Sequence, residues 1–233
     1  MKAFVLNLKR RNDRKKHVKA QLPGYFEAHF TSDWDGPMDG QSLTDETLKE
    51  HGISLFPWEL RCKNRWWNRP MSKGEIGCSV SHWLCWKKAS TFNDPHYVFL
   101  EDDVRLGPTF GEELPEVVSR LSALDEAWDL LFLGRSPRAP DEGRVGEFIK
   151  PGFSYGTHAY MLSHAAVDKL LATRFPEDLI PADEFLPAMY CDHPRPDVRS
   201  RYPKRLRAYS VDPLLCSVEH RLGSDIKDSG SIP

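Results

Sequence analysis

Tyr97-Val98-Phe99-Leu100 runs without a break into Glu101-Asp102-Asp103, four apolar strand formers followed at once by three carboxylates. An apolar run this short, with no polar residue alternating in it, reads as a strand covered on both faces. Three adjacent carboxylates repel one another and lose solvation when buried, so the strand must end at a polar edge that offers something positive. Both demands are met in an α/β sheet covered by helices, where ligands gather at the carboxyl ends of the strands.

The pattern recurs along the chain. Residues 3–8 are strand formers and lead into Lys9-Arg10-Arg11-Asn12-Asp13-Arg14-Lys15-Lys16, a charged helix start. Residues 130–133 form a second compact apolar run ending at Gly134-Arg135, and a further strand is expected at 155–162. Ser72-Lys73-Gly74-Glu75 has capping-box spacing, and Ile76, Val80, Trp83 and Leu84 follow at helical spacing, predicting a helix that ends near Ala89. Ser163 is placed to cap a helix carrying Ala166, Val167, Leu170 and Leu171. A short helix is expected at 43–51, and an irregular loop at 56–70, where Trp58, Trp66 and Trp67 stand among Arg61, Lys63, Arg65 and Arg69. No repeat or linker divides the 233 residues. The expectation is a single α/β domain, 1–233, with a mainly parallel central sheet flanked by helices.

Composition excludes several classes of function. With 18 Pro and 15 Gly the chain is not low-complexity, and a formal net charge of -2 argues against a dedicated nucleic-acid binder. Five cysteines without close pairing suit reduced thiols. No apolar run approaches the ~20 residues of a membrane span, so a soluble, cytoplasmic protein is expected. Phosphate-loop, Gly-x-Gly-x-x-Gly, Gly-x-Ser-x-Gly and His-Glu-x-x-His motifs do not occur.

Three groups remain as candidates for chemistry. The Glu101-Asp102-Asp103 triplet is either a site for a hard divalent cation, which favours oxygen ligands, or a solvated turn paired with Arg105. Asp183-Glu184, between Pro181 and Pro187, is either a pair of helix-start carboxylates favoured by the dipole or a general base. The arginines after residue 8 form either a solvated face or contacts to a diphosphate. His82 and His158, each taken alone, read as hydrogen-bonded residues rather than ligands, and His220 as a surface residue.

Taken in order, four N-terminal motifs resemble glycosyltransferase family 25. They are Asn7-Leu8-Lys9-Arg10-Arg11-x-Asp13-Arg14, Met38-Asp39-Gly40-x-x-Leu43, Gly74-Glu75-Ile76-Gly77-Cys78-x-x-Ser81-His82 and Leu100-Glu101-Asp102-Asp103-Val104-Arg105. Asp183-Glu184-Phe185-Leu186-Pro187-x-Met189-Tyr190 and Ala208-Tyr209-Ser210-Val211-Asp212-Pro213-Leu214-Leu215 are similar to the procollagen galactosyltransferase branch.

The resemblance implies a GT-A type fold, with a nucleotide-binding part near 1–135 and an acceptor-side part near 136–233. It also implies a UDP-sugar donor, expected to be UDP-galactose, a manganese-like divalent ion, and inverting transfer to a hydroxyl of a glycan or of a hydroxylysine-type protein acceptor. By position, Asp103, Asp102 and His220 would hold the metal. Asn7, Arg11, Arg14, Asp39, Gly40, Ser81, His82, Glu101 and Asp102 would lie on the nucleotide side, and Asp183 or Glu184 would be the base. The alternatives are a catalytically silent homologue that binds a glycan or protein, and a nucleotide-sugar hydrolase.

Overall fold

The structure is a computed structural model and describes residues 1–226. Its centre is an eight-stranded sheet in the order β2-β1-β3-β8-β5-β9-β7-β6. The strands are β1 (Lys2–Leu6), β2 (Glu27–Phe30), β3 (His96–Glu101), β5 (Leu130–Pro137), β6 (Gly143–Val145), β7 (Phe148–Lys150), β8 (Ser154–Ser163) and β9 (Ala208–Ser210). Two further strands, β4 (Val104–Leu106) and β10 (Cys216–Val218), form a separate antiparallel ribbon.

Six of the eight strands point the same way, and β8 and β7 run against them. The sheet is therefore mixed, with β8 inserted antiparallel between β3 and β5. That insertion brings the start of β8 beside the carboxyl ends of β3 and β5, so residues from both halves of the chain meet at one edge.

Alternating residues of each central strand enter opposite cores, as the pleat requires. Phe4, Phe99, Phe132 and Tyr160 face one layer; Val5, Val98, Leu131 and Met161 face the other. The first layer is closed by helices α3 (Lys73–Ala89), α5 (His164–Leu171) and α6 (Ala182–Ala188). The second is closed by α4 (Phe110–Leu124), through Phe110, Leu114, Val117 and Leu121, and by Val18 of α1 (Asn12–Gln21). Two shorter helices, α2 (Asp45–Glu50) and α7 (Pro196–Arg201), complete the set.

The expected caps are present. Ser72 and Glu75 form a reciprocal capping box at the start of α3, and Ser163 accepts from the Ala166 amide at the start of α5. The apolar stripe of α3 is wider than its spacing implied: Cys85, Trp86 and Ala89 are buried with Ile76 and Val80, whereas Trp83 and Leu84 are half-covered. Residues 56–70 form no helix or strand. No helix among the described residues is long and apolar enough to cross a membrane.

Two glycines set how closely α3 approaches the loop before it. A Cβ on Gly77 would lie 2.4 Å from the Met38 carbonyl oxygen, and one on Gly40 would lie 2.6 Å from the backbone of Lys73. Real Cβ contacts are not that short, so the loop at 38–40 docks on the helix only because both positions lack side chains.

Candidate active site

The cleft lies where β1 and β3 end and β8 begins. Leu6 pairs with Glu101 in the parallel register of β1 and β3, so Asn7 and Asp102 emerge side by side. Asn7 Nδ2 donates to one Asp102 carboxylate oxygen at 2.7 Å, and Arg14 Nη1 donates to the other at 2.7 Å. All three residues are buried. Burial pushes the Asp102 carboxyl above its ordinary value despite these two contacts. With both oxygens committed, Asp102 anchors α1 to the end of β3 and offers little to an ion.

Asp103 differs. Its Oδ1 is buried and has no hydrogen-bond partner among the described residues, and its nearest cation, Arg14 Nη1, is 3.7 Å from Oδ2. Burial first, then the neighbouring Glu101 charge, lift its carboxyl to about 7. A charge so poorly compensated favours a cation as its missing partner.

The ribbon of β4 and β10 brings His220 to this point. Val104 pairs with Val218, and the Glu219 amide donates to the Asp103 carbonyl at 2.7 Å, so His220 enters the cleft wall two residues beyond the strand pair.

Glu101 stands at the middle of the cleft and borders both of its lobes. Burial pushes its carboxyl up, but contacts with His82 and Thr157 outweigh it and hold the group below its ordinary value. Thr157 Oγ1 donates to Glu101 Oε1 at 2.7 Å. His82 is fully buried behind Glu101 and lines neither lobe.

Cys78, His82 and Glu101 put one potential ligand atom each within 4.8 Å of one another. Trp86 Nε1 donates to the Tyr160 hydroxyl at 2.9 Å, and the same hydroxyl meets His82 Nδ1, also at 2.9 Å. His82 Nε2 faces Glu101 at 3.7 Å.

The first lobe is lined by Asn7, Arg10, Arg14, Gly40, Ser81 and Asp103, among others. Asp39 accepts from the Gln41 amide at 3.0 Å and from Arg10 Nε at 2.9 Å, which fixes the loop around Gly40. Ser81 borders the lobe, but its hydroxyl is spent on the Gly77 carbonyl at 2.7 Å. Arg11 stands just outside the lobe, doubly bonded to Asp13.

The second lobe, a cavity of about 430 Å³, is walled by Trp58, Trp66, Tyr155 and Arg138, with Asp183 and Glu184 at its base. The two neighbouring carboxylates are used differently. Glu184 is buried, and its Oε1 accepts from Tyr155 Oη at 2.6 Å and Trp67 Nε1 at 3.1 Å, while Oε2 meets His193 Nε2 at 2.7 Å. It is a hub for the aromatic wall.

Among the described residues Asp183 receives its donors on one oxygen, from the Gly156 amide at 3.0 Å and the Thr157 amide at 3.1 Å, and the Thr157 hydroxyl lies 3.2 Å from the same oxygen. Gly156 has φ +94, a backbone that side chains resist, and this turn aims its amide at Asp183. Burial first, then the Glu101 charge, raise the Asp183 carboxyl to about 6. A carboxylate with one oxygen free and an affinity for protons near neutrality suits a general base.

Local sequence pointed to the carboxylates but missed the groups that tune them. Thr157 and Tyr155 carried no signal beyond their place in the strand, and their roles depend on β8 running antiparallel to β3.

Comparison with known proteins adds an independent line. The model for glycosyltransferase family 25 (LPS biosynthesis protein) matches residues 1–135. Procollagen galactosyltransferase 1-B of Xenopus laevis is 34% identical over 226 residues, which is 94% of this chain and 36% of that protein. The probable inactive glycosyltransferase 25 family member 3 of Bos taurus is 33% identical over 225 residues, 94% of this chain and 37% of that protein. The chain thus spans little more than a third of the length of these relatives. Among solved structures, a glycosyltransferase involved in glycosylation of the major capsid of PBCV-1 aligns with a TM-score of 0.42 at 11% identity, over 90% of this chain and 81% of that one.

Proposed function

The chain belongs to glycosyltransferase family 25, and from that premise we propose that it moves a hexose, with galactose the expected sugar, from a UDP-sugar to a hydroxyl acceptor with inversion at the anomeric carbon. The observation that carries this reading is the separation of two unlike acidic centres in one cleft. Asp103 has a buried oxygen without a partner on the donor side, and Asp183 has a free oxygen on the acceptor side.

Inversion needs that separation. The acceptor hydroxyl attacks the anomeric carbon on the face opposite UDP, a new C–O bond forms, and the bond to the phosphate oxygen breaks. The acceptor's proton passes to the free oxygen of Asp183, and UDP leaves with the bonding electrons. The base must therefore stand apart from the groups that handle the diphosphate.

The residues present fit a divalent cation at Asp103. Its unpartnered oxygen and lifted carboxyl call for positive charge, and His220, carried by the segment whose Glu219 amide bonds the Asp103 carbonyl, lines the adjoining lobe. Such an ion, with manganese as the expected occupant, supplies charge to offset what builds on the leaving UDP. Asp102 holds Asn7 and Arg14 in place, and Glu101 separates the two centres. The 1–135 part of the chain then serves the donor and the remainder the acceptor, in a GT-A type arrangement.

The aromatic wall suits either a sugar ring or a peptide segment carrying a hydroxyl. Relatives named procollagen galactosyltransferase make a hydroxylysine-type protein acceptor a concrete candidate. A second reading, a silent homologue that only binds, draws on relatives named inactive. Keeping both Asp103 and Asp183 poised favours turnover. The test is UDP release from a panel of UDP-sugars, with and without EDTA. Metal-dependent release, greatest with UDP-galactose, is expected, and no turnover or binding of any UDP-sugar would return the silent reading to first place.

A further inference from the structure

Three arginines at the mouth of the donor lobe already hold an anion, and it belongs to the chain itself. Asp225 Oδ2 meets Arg11 Nη1 at 2.6 Å and Arg14 Nη1 at 3.5 Å, while its Oδ1 pairs closely with Arg10 Nη1. Two backbone carbonyls join it: Arg11 Nη2 donates to Leu222 at 2.9 Å, and Arg14 Nη2 to Gly223 at 2.8 Å. The segment thus presents a carboxylate and two carbonyl oxygens to three guanidinium groups, much as a diphosphate would.

The segment also reaches into the cleft. Ser224 and Ile226 border both lobes, so residues 224–226 cross the boundary between the donor and acceptor sides. The 3-10 turn that carries the segment, His220–Leu222, buries none of its residues. Gly223 follows with φ +79 and open space where a Cβ would stand, so it can swing without a side chain to move.

Arginine forks match phosphate oxygens as readily as carboxylates, and a diphosphate carries more charge than one aspartate. We infer that Arg10, Arg11 and Arg14 form the subsite for the donor's diphosphate, and that Asp225 occupies it until the donor displaces the 222–226 strap. This rests on the donor-lobe assignment made above. Displacement releases the strap's contacts with the three guanidinium groups, which keep their bonds to Asp39, Asp13 and Asp102, and uncovers the boundary that Ser224 and Ile226 bridge, which couples donor entry to opening of the acceptor lobe.

The test is a titration of the full chain with inorganic pyrophosphate and with UDP, without metal and at fixed low salt, for wild type, Asp225→Asn and Asp225→Ala. Removing the internal competitor is expected to tighten both ligands about tenfold, the scale of one charge-assisted contact. Arg11→Ala in the Asp225→Ala background is expected to abolish the gain. Unchanged or weaker binding in Asp225→Asn, with its thermal unfolding intact, overturns the proposal, because Asp225 then only neutralises the arginines or helps to bind the ligand. The pyrophosphate gain is independent of sugar transfer. Turnover of a UDP-sugar without the gain sinks the strap alone, and the gain without turnover sinks the transferase reading alone.

Discussion

The carboxylates of Glu101 and Asp183 share a single hydroxyl, that of Thr157, which lies 2.7 Å from Glu101 and 3.2 Å from Asp183. One hydroxyl has one hydrogen, and the shorter contact takes it. Glu101 is therefore the favoured anion of the pair, and Asp183 feels that negative charge through the same bridge. When Asp183 takes a proton on its other oxygen, Oδ1 keeps its two backbone amides and the Thr157 hydrogen stays with Glu101. Thr157 is a positioning residue in this scheme.

The pH dependence follows from that arrangement. A base must be ionised to act, and Asp183 is held at about 6. The expected kcat/KM rises with pH up to about 6 and then levels on its alkaline side. Asp183→Asn should lower kcat by ~10²–10⁴ while the protein stays folded. A rate profile with no acid limb, or an active Asp183→Asn variant, removes Asp183 from the role.

Asp103 and Asp102 should respond in opposite ways to mutation. The folded-state values of Asp103, about 7, and Asp183, about 6, lie above the ordinary aspartate value of 3.8, so the folded protein binds more protons than the unfolded one. Their effect favours folding most below about 3.8 and is lost as pH rises through about 6 and 7. Asp103→Asn should thus raise metal-free stability at pH 8, whereas Asp102→Ala, which strands Arg14, should cost on the order of 3 kcal/mol. Thermal melts of both variants decide the matter; a destabilised Asp103→Asn is the contrary result.

A divalent cation at Asp103 would bind only the folded state and raise its midpoint. At about 100 times its dissociation constant the gain is about 2.7 kcal/mol. Manganese should raise the melting temperature of wild type and leave that of Asp103→Asn unmoved. An equal shift in both proteins places the ion elsewhere.

Glu184 should reveal itself in acceptor binding rather than in the chemical step. Its oxygens hold Trp67, Tyr155 and His193, which together support one wall of the acceptor lobe. In Glu184→Gln, acceptor KM is expected to rise about tenfold with kcat within a factor of a few, since the wall loosens while Asp183 remains. Loss of kcat at unchanged KM would instead make Glu184 the base.

The sequence by itself determined the strands at 97–100 and 130–133, the capped helices at Ser72 and Ser163, and the three acidic positions that matter, because apolar runs, cap spacing and adjacent carboxylates are local signals. It did not determine the short strands β6, β7, β9 and β10, whose three-residue lengths carry little pattern and whose pairing comes from neighbours. Nor did it separate Asp183 from Glu184, which stand side by side in the chain. Tertiary structure decided that, because β8 enters antiparallel beside β3 and delivers Gly156 and Thr157 to Asp183, while His193 and the tryptophan loop claim Glu184. The pairing of Asp225 with Arg10 and Arg11, across more than 200 positions, was equally beyond local reading. A carboxylate's role depends on which donors, charges and solvent surround it, and those arrive from distant segments only when the chain has folded.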